Sequence, residues 1–163
     1  MKEKMVNTRN GMYVQVLRNL MFISAAEAAS MFPNINEEMW RAFEAGEMEV
    51  PKHCLDRFNA LFQWRNQQLV MTRQLLASNP DAQLHEFWHP TIHAWMAIDE
   101  REPEHFRVVQ SINATLATEF PKQYFIIPFD LTSFTSWAMG RQPTEELVAE
   151  FLGHITEPKT TLH

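Results

Sequence analysis

The sequence predicts a mainly α fold: a helix-turn-helix head, joined by a long helix to an α-rich second half with at most a short strand or two. Residues 24–46 read as two short helices joined by a turn, which is the arrangement of a helix-turn-helix. From Pro51 to about Leu76 apolar residues recur with helical spacing over the longest segment of the chain. Residues 78–81, Ser-Asn-Pro-Asp, then break the pattern. We therefore predict two domains, residues 1–78 and 79–163.

A first amphipathic helix precedes the two short ones. Its apolar residues recur at three- and four-residue spacing and are Tyr13, Val16, Leu17, Leu20 and Met21. This face is expected to pack on the bulky side chains of the third helix.

The two short helices have recognisable ends. Ser24 is a good N-cap for the first of them, because its hydroxyl can accept an orphan backbone N–H. Pro33 cannot continue that helix, and Asn36 can cap the next one. Trp40 and Phe43, three residues apart, give the second helix one buried edge. Gly46 is free to take the left-handed conformation that ends it.

The long segment carries two apolar stripes. The first consists of Leu55, Phe58, Phe62, Leu69 and Leu76, and the second of Leu61, Trp64, Met71 and Leu75. One stripe is expected to face the head, and the other either the second half or a twofold partner. Two stripes of ordinary core are an equally weighted alternative.

The segment from Leu17 to Gly46 resembles the lambda-repressor-like (XRE-type) helix-turn-helix family, most closely its YdiL-like branch, which is related to anti-CRISPR-associated repressors. The motifs that support the resemblance are Leu17-Arg18, Ile23-Ser24, Glu27-Ala28-Ala29 and Trp40-x-x-Phe43-Glu44-x-Gly46. The resemblance implies a DNA-binding head and a structural ion pair between Arg18 and Glu44. It also implies DNA-facing positions at Ser24, Ala25, Asn36, Glu37, Glu38 and Arg41. Relatives often carry glutamine where this chain has Ala25, Glu37 and Glu38.

Composition and charge limit the other classes of function. The net charge is −6, but residues 1–58 contain seven basic and eight acidic residues, so the excess of acid lies mostly after the head. Cys54 is the only cysteine, no long apolar segment is present, and we expect a cytoplasmic protein without a membrane span. The chain lacks a phosphate-binding glycine loop and a G-x-S-x-G site, so we expect neither an enzyme nor a cofactor.

Residues 85–89, His-Glu-Phe-Trp-His, match the H-E-x-x-H zinc motif, which places two imidazoles on one helical face. Pro90 disfavours helical dihedrals at His89, and His93 is the remaining imidazole nearby. Zinc hydrolysis and a non-catalytic metal site are minor alternatives, and surface or packing histidines are the main interpretation.

The remaining second half is predicted to contain a helix after Pro103 that ends at Pro121, a strand at Tyr124–Ile127, and two helices after Asp130 and Pro143. Within the first helix, residues 106–116 resemble a W-R-x-x-Q-S-x-x-A-x-L pattern of YdiL-like proteins, with Phe106 in place of Trp. Surface positions for Gln110 and Ser111 are an even alternative.

The function predicted from these observations is sequence-specific binding of double-stranded DNA by a homodimer that regulates transcription, acting as a repressor. Arg41 is the candidate for a guanine or phosphate contact, and Glu37 and Glu38 can accept from cytosine N4. The second half would serve dimerisation or bind an effector or protein partner. The main alternative is a helix-turn-helix module that binds proteins instead of DNA.

Overall fold

The computed structural model describes residues 8–157. Within this range the chain is mainly α, as predicted, with eight helices and two short strands. The elements in chain order are α1 (Thr8–Leu20), α2 (Ala25–Ser30), α3 (Glu37–Glu44), α4 (Lys52–Ser78), β1 (Leu84–Trp88), α5 (Ile92–Met96), α6 (His105–Glu119), β2 (Tyr124–Pro128), α7 (Leu131–Ala138) and α8 (Glu145–Thr156).

The described residues form two compact units. Residues 8–72 together with 107–112 make up the head unit, and residues 73–106 together with 113–157 make up the second unit. Helices α4 and α6 each contribute residues to both units. The domain boundary at residue 78 stays a prediction.

Trp40 on α3 lies at the centre of the aromatic core of the head unit. Its ring centroid lies 5.2 Å from that of Phe58 on α4, 5.8 Å from Phe43 and 6.0 Å from Phe32. The indole N–H of Trp40 has no hydrogen-bond partner among the described residues, so this side chain stabilises the head through packing.

The buried face of α1 differs from the predicted one. Leu17 and Met21 are buried as expected, but Tyr13, Val16 and Leu20 are exposed, and Val14 is buried instead. Positions 14 and 16 are about 200° apart around a helix, so α1 has apolar residues on two opposite sides. Gly11 selects between these sides, because it lets α1 approach the α3 backbone so closely that a Cβ there would lie 2.1 Å from the carbonyl oxygen of Phe43.

Helix α4 also buries only part of its apolar surface. Phe58, Leu69 and Leu76 of the first predicted stripe are buried. Of the second stripe Leu61 is buried, whereas Met71 and Leu75 are exposed. The second stripe is therefore not a continuous core face within the described residues.

The second unit is built around a parallel pair of strands, β1 and β2, with Leu84 opposite Tyr124 and Trp88 opposite Pro128. The predicted strand at residues 124–127 is confirmed, and its partner β1 was not predicted. Parallel strands require a crossover connection, which here contains α5 and α6. The main core cluster of this unit consists of Phe87, Ala94, Ile98, Phe129, Phe134, Ala138, Leu147, Val148 and Phe151.

The last two helices of the described chain begin close to the predicted positions. Asp130 caps α7 by accepting the N–H groups of Thr132 and Ser133. Thr144 caps α8 by accepting the N–H of Leu147. No helix among the described residues is both long and apolar enough to cross a membrane.

Candidate nucleic-acid interface

Helices α2 and α3 form the predicted helix-turn-helix, and each begins at the expected cap. The Ser24 hydroxyl accepts the backbone N–H of Glu27, while the Glu27 carboxylate accepts the backbone N–H of Ser24, so the two residues form a capping box. Asn36 Oδ1 accepts the N–H of Met39 at 2.8 Å and starts α3. Gly46, with φ +76°, follows the end of α3 in the left-handed conformation.

Arg18 and Glu44 fasten α1 to the end of α3. The guanidinium donates to both carboxylate oxygens of Glu44, with the shortest N–O distance 2.7 Å, and it also donates to the carbonyl of Ile23 at 3.0 Å. The side chains are only 14% and 7% exposed. The geometry therefore fixes the orientation of α3 relative to α1 within the head unit.

The exposed side of α3 carries the charged residues of the predicted site. Glu37, Glu38 and Arg41 are all exposed, and they line an open depression of about 490 Å³ together with Ala42, Ala45 and Glu47. Three carboxylates and one guanidinium thus surround this surface. The helix therefore presents a net negative face.

Arg41 is held by its neighbour one turn earlier. Its Nε and Nη2 donate to Glu37 Oε1 at 3.2 and 2.6 Å, and the two side chains remain 66% and 47% exposed. No other partner of Arg41 occurs among the described residues, so the outer edge with Nη1 faces solvent with its donors free. Such an edge matches the two acceptors of guanine, O6 and N7.

The structure corrects the predicted role of Ala25. Its side chain is 5% exposed and packs in the head, because α2 turns its alanine face inward. The Ala25 side chain is therefore not available to a partner. Ser24 and Asn36 are exposed, but their side-chain oxygens already accept backbone N–H groups as helix caps.

A second group of polar residues joins the head from α6. Arg107 donates at 2.9 Å to Glu27 Oε2, the carboxylate oxygen that does not accept the Ser24 N–H, and at 2.9 Å to Gln110 Oε1. Arg65 on α4 donates to the Ser111 hydroxyl at 3.0 Å. Gln110 and Ser111 are buried, which overturns their interpretation as surface residues. The capping-box spacing of Ser24 and Glu27 was readable in the sequence, whereas the partner 80 residues later was not.

The H-E-x-x-H pattern forms a strand and its end, not the helix that the zinc motif requires. At about 3.3 Å per residue, His85 and His89 lie roughly 13 Å apart along the strand, so their imidazoles cannot share one ion. No group of three or more His, Cys, Asp or Glu in residues 8–157 is placed to hold a metal.

His89 is instead a buried packing residue of the second unit. Arg101 Nη1 lies 2.8 Å from His89 Nε2, and since a guanidinium can only donate, Nε2 accepts and is unprotonated. Burial, together with the positive charge of Arg101, lowers the pKa of His89 to about 3. Arg101 also stacks on Trp95, 4.1 Å from its ring centre, and pairs with Glu145.

A comparison with known protein families gives a match. A family model described as Aca2/YdiL-like matches residues 9–124, which contain all of α2 to α6 and end at the first residue of β2. Helices α7 and α8 lie outside the matched range. A search of curated proteins gives no match.

Proposed function

The chain belongs to the Aca2/YdiL-like family, which indicates a regulator-type function, and from this premise we propose that it is a sequence-specific DNA-binding repressor of transcription. The observation that supports the proposal is the capped α2–α3 pair, which exposes Arg41 with one guanidinium edge free. In this arrangement the second helix of the pair enters the major groove.

The charged residues of α3 would contact different bases. Arg41 would donate to guanine O6 and N7, and Glu37 would hold the guanidinium in the orientation that this contact needs. Glu38 is exposed and has no hydrogen bond or ion pair among the described residues, so it would accept from cytosine N4. Ser24 and Asn36, at the two helix starts, would lie against the phosphate backbone.

A homodimer completes the proposed mechanism. Two copies would place their α3 helices in successive major grooves, about 34 Å apart, on a palindromic site. Occupancy of that site would exclude other proteins from a promoter. The second half would serve dimerisation or the binding of an effector or protein partner.

A second candidate function is a protein-interaction module that uses the same head without DNA. The acidic surface formed by α3 and Glu47 favours it, because three carboxylates repel phosphate and only one guanidinium attracts it. Such a surface would fit a basic segment of a partner protein.

Selection from randomised duplexes, followed by a salt titration, separates the two functions. A DNA-binding protein enriches a palindromic sequence. Arg41→Ala then costs about 1–3 kcal/mol in binding free energy and relaxes the sequence preference at one base pair of each half-site.

Arg141→Ala is the matched control, because Arg141 is also an exposed arginine beside a glutamate, Glu150, but lies in the second unit. It should leave the affinity and the selected sequence unchanged. Failure to enrich any sequence, together with weak affinity that Arg41→Ala does not alter, would refute DNA reading and leave the interaction module.

A further inference from the structure

Arg107 belongs to the head unit although it follows the helix-turn-helix by more than 60 residues. Its Nε donates to Glu27 Oε2 at 2.9 Å. The other oxygen of that carboxylate, Oε1, accepts the backbone N–H of Ser24 at 3.1 Å. Glu27 therefore uses one oxygen to cap α2 and the other to bind Arg107.

Arg107 is itself held by Gln110, and its helix α6 is held against α4. Its Nη1 donates to Gln110 Oε1 at 2.9 Å, and Gln110 is buried. One residue later, the buried Ser111 hydroxyl accepts from Arg65 Nε at 3.0 Å and donates to the carbonyl of Val108. Buried polar groups with satisfied hydrogen bonds give α6 one defined position against α4 in the head unit.

The contact with Arg107 also sets the charge state of Glu27. Burial alone would raise the pKa of Glu27, but hydrogen bonds from Arg107 and Ser24 and the positive charge of Arg107 outweigh it, so the pKa is lowered. The carboxylate is thus ionised, and Arg107 neutralises it. Both side chains are more than a third exposed, at 38% and 37%, so the pair adds little to the overall stability of the fold.

We propose that Arg107 is a positioning residue of the DNA-binding head, which holds Glu27 on the backbone of Ser24 and cancels its negative charge at the start of α2. The proposal rests on the proposed function, in which Ser24 lies against phosphate. Without Arg107, a carboxylate with no cation beside it would face the DNA backbone at this position, and the start of α2 would lose one of its restraints.

Two variants separate positioning from a direct phosphate contact. Arg107→Ala should weaken specific DNA binding, and adding Glu27→Gln to it should restore most of the affinity, because glutamine still caps the helix and carries no charge. A phosphate contact made by Arg107 itself would not be restored, and its loss would reduce the slope of log K against log salt by about 1.

Hydrogen exchange of the Ser24 amide, measured on the full chain without DNA, reports the restraint independently of binding. Losing one hydrogen-bond restraint, typically worth about 0.5–1.5 kcal/mol, should reduce protection of this amide roughly two- to twelve-fold in Arg107→Ala. Arg73→Ala is the matched control, since its pair with Glu119 is equally exposed at 41% and 39% but lies in the second unit.

The outcomes are distinct. Weaker binding that Glu27→Gln restores, with lower Ser24 protection, supports the proposal. Unchanged binding with unchanged protection overturns it, and so does a loss that the second substitution does not restore. If the wild-type protein selects no DNA, the proposed function fails. The Ser24 amide then still decides whether Arg107 positions the start of α2.

Discussion

Two Arg–Glu pairs of the head have nearly the same contact distance and very different burial, which makes a quantitative prediction possible. The shortest N–O distance is 2.7 Å in Arg18–Glu44 and 2.6 Å in Arg41–Glu37. The side chains of the first pair are 14% and 7% exposed, and those of the second are 66% and 47% exposed. Burial, not distance, should therefore decide how much each pair contributes to the free energy of unfolding.

Removing the carboxylate charge at the buried pair leaves an uncompensated guanidinium inside the head. Such losses cost about 3–5 kcal/mol. Since glutamine keeps one acceptor for Arg18, we expect Glu44→Gln to cost about 3 kcal/mol. Glu37→Gln removes a solvent-exposed i,i+4 pair and should cost only about 0.3–0.5 kcal/mol. The double variant Arg18→Met with Glu44→Leu should return to within about 1 kcal/mol of wild type, because no buried charge remains.

The assay must report the head unit by itself, because unfolding of two units need not be a single transition. Urea titration with hydrogen exchange and mass spectrometry of peptides from residues 8–46 meets this need. The reasoning fails if Glu44→Gln costs no more than Glu37→Gln. It also fails if the apolar double variant is as unstable as Glu44→Gln.

Four single positions give further testable expectations. The folded pKa of His89 is about 3, below its ordinary value of 6.5, so the unfolded state takes up the proton first as the pH falls. The free energy of unfolding of the second unit should thus fall by about 2 kcal/mol as the pH is lowered from 7 to 5. His89→Gln should flatten this dependence in urea titrations, and substitution of the exposed His93 should not. Gly11→Ala should lower the free energy of unfolding by about 1–3 kcal/mol, because its Cβ clashes with the α3 backbone. Gly153→Ala has open space around the new Cβ, so it should raise the free energy of unfolding by up to about 1 kcal/mol. Thermal unfolding measures both changes. Asn36→Ala should cost about 1 kcal/mol in the same measurement, and Asn36→Asp should cost little because aspartate also caps.

Elements with local determinants were predictable from the sequence. The starts of α2 and α3 depend on a side chain and a backbone N–H only three residues apart, as at Ser24 and Asn36. The end of α3 requires only that Gly46 take positive φ. Both are properties of a short segment, which is why residues 24–46 could be read before any tertiary contact was known.

Features that depend on distant partners were not predictable. β1 exists because it pairs with β2, about 40 residues later, and four of its five residues belong to a pattern that also matches a helical zinc motif. The face that α1 buries depends on Gly11 meeting the backbone of Phe43. Gln110 is polar on an amphipathic helix, and its burial is accompanied by a hydrogen bond from Arg107 that the sequence pattern does not reveal.

The acidity of α3 determines how a DNA-binding head of this kind would obtain its affinity. Non-specific binding grows with the number of phosphates that lysine and arginine neutralise, and the surface formed by α3 and Glu47 offers one arginine against three glutamates. Glu37 already neutralises that arginine. Affinity for a cognate site would then have to come from base contacts that match Arg41 and Glu38, and carboxylates without a matching cytosine would repel other sequences. The same charges that argue against general DNA affinity therefore favour a high ratio of specific to non-specific binding.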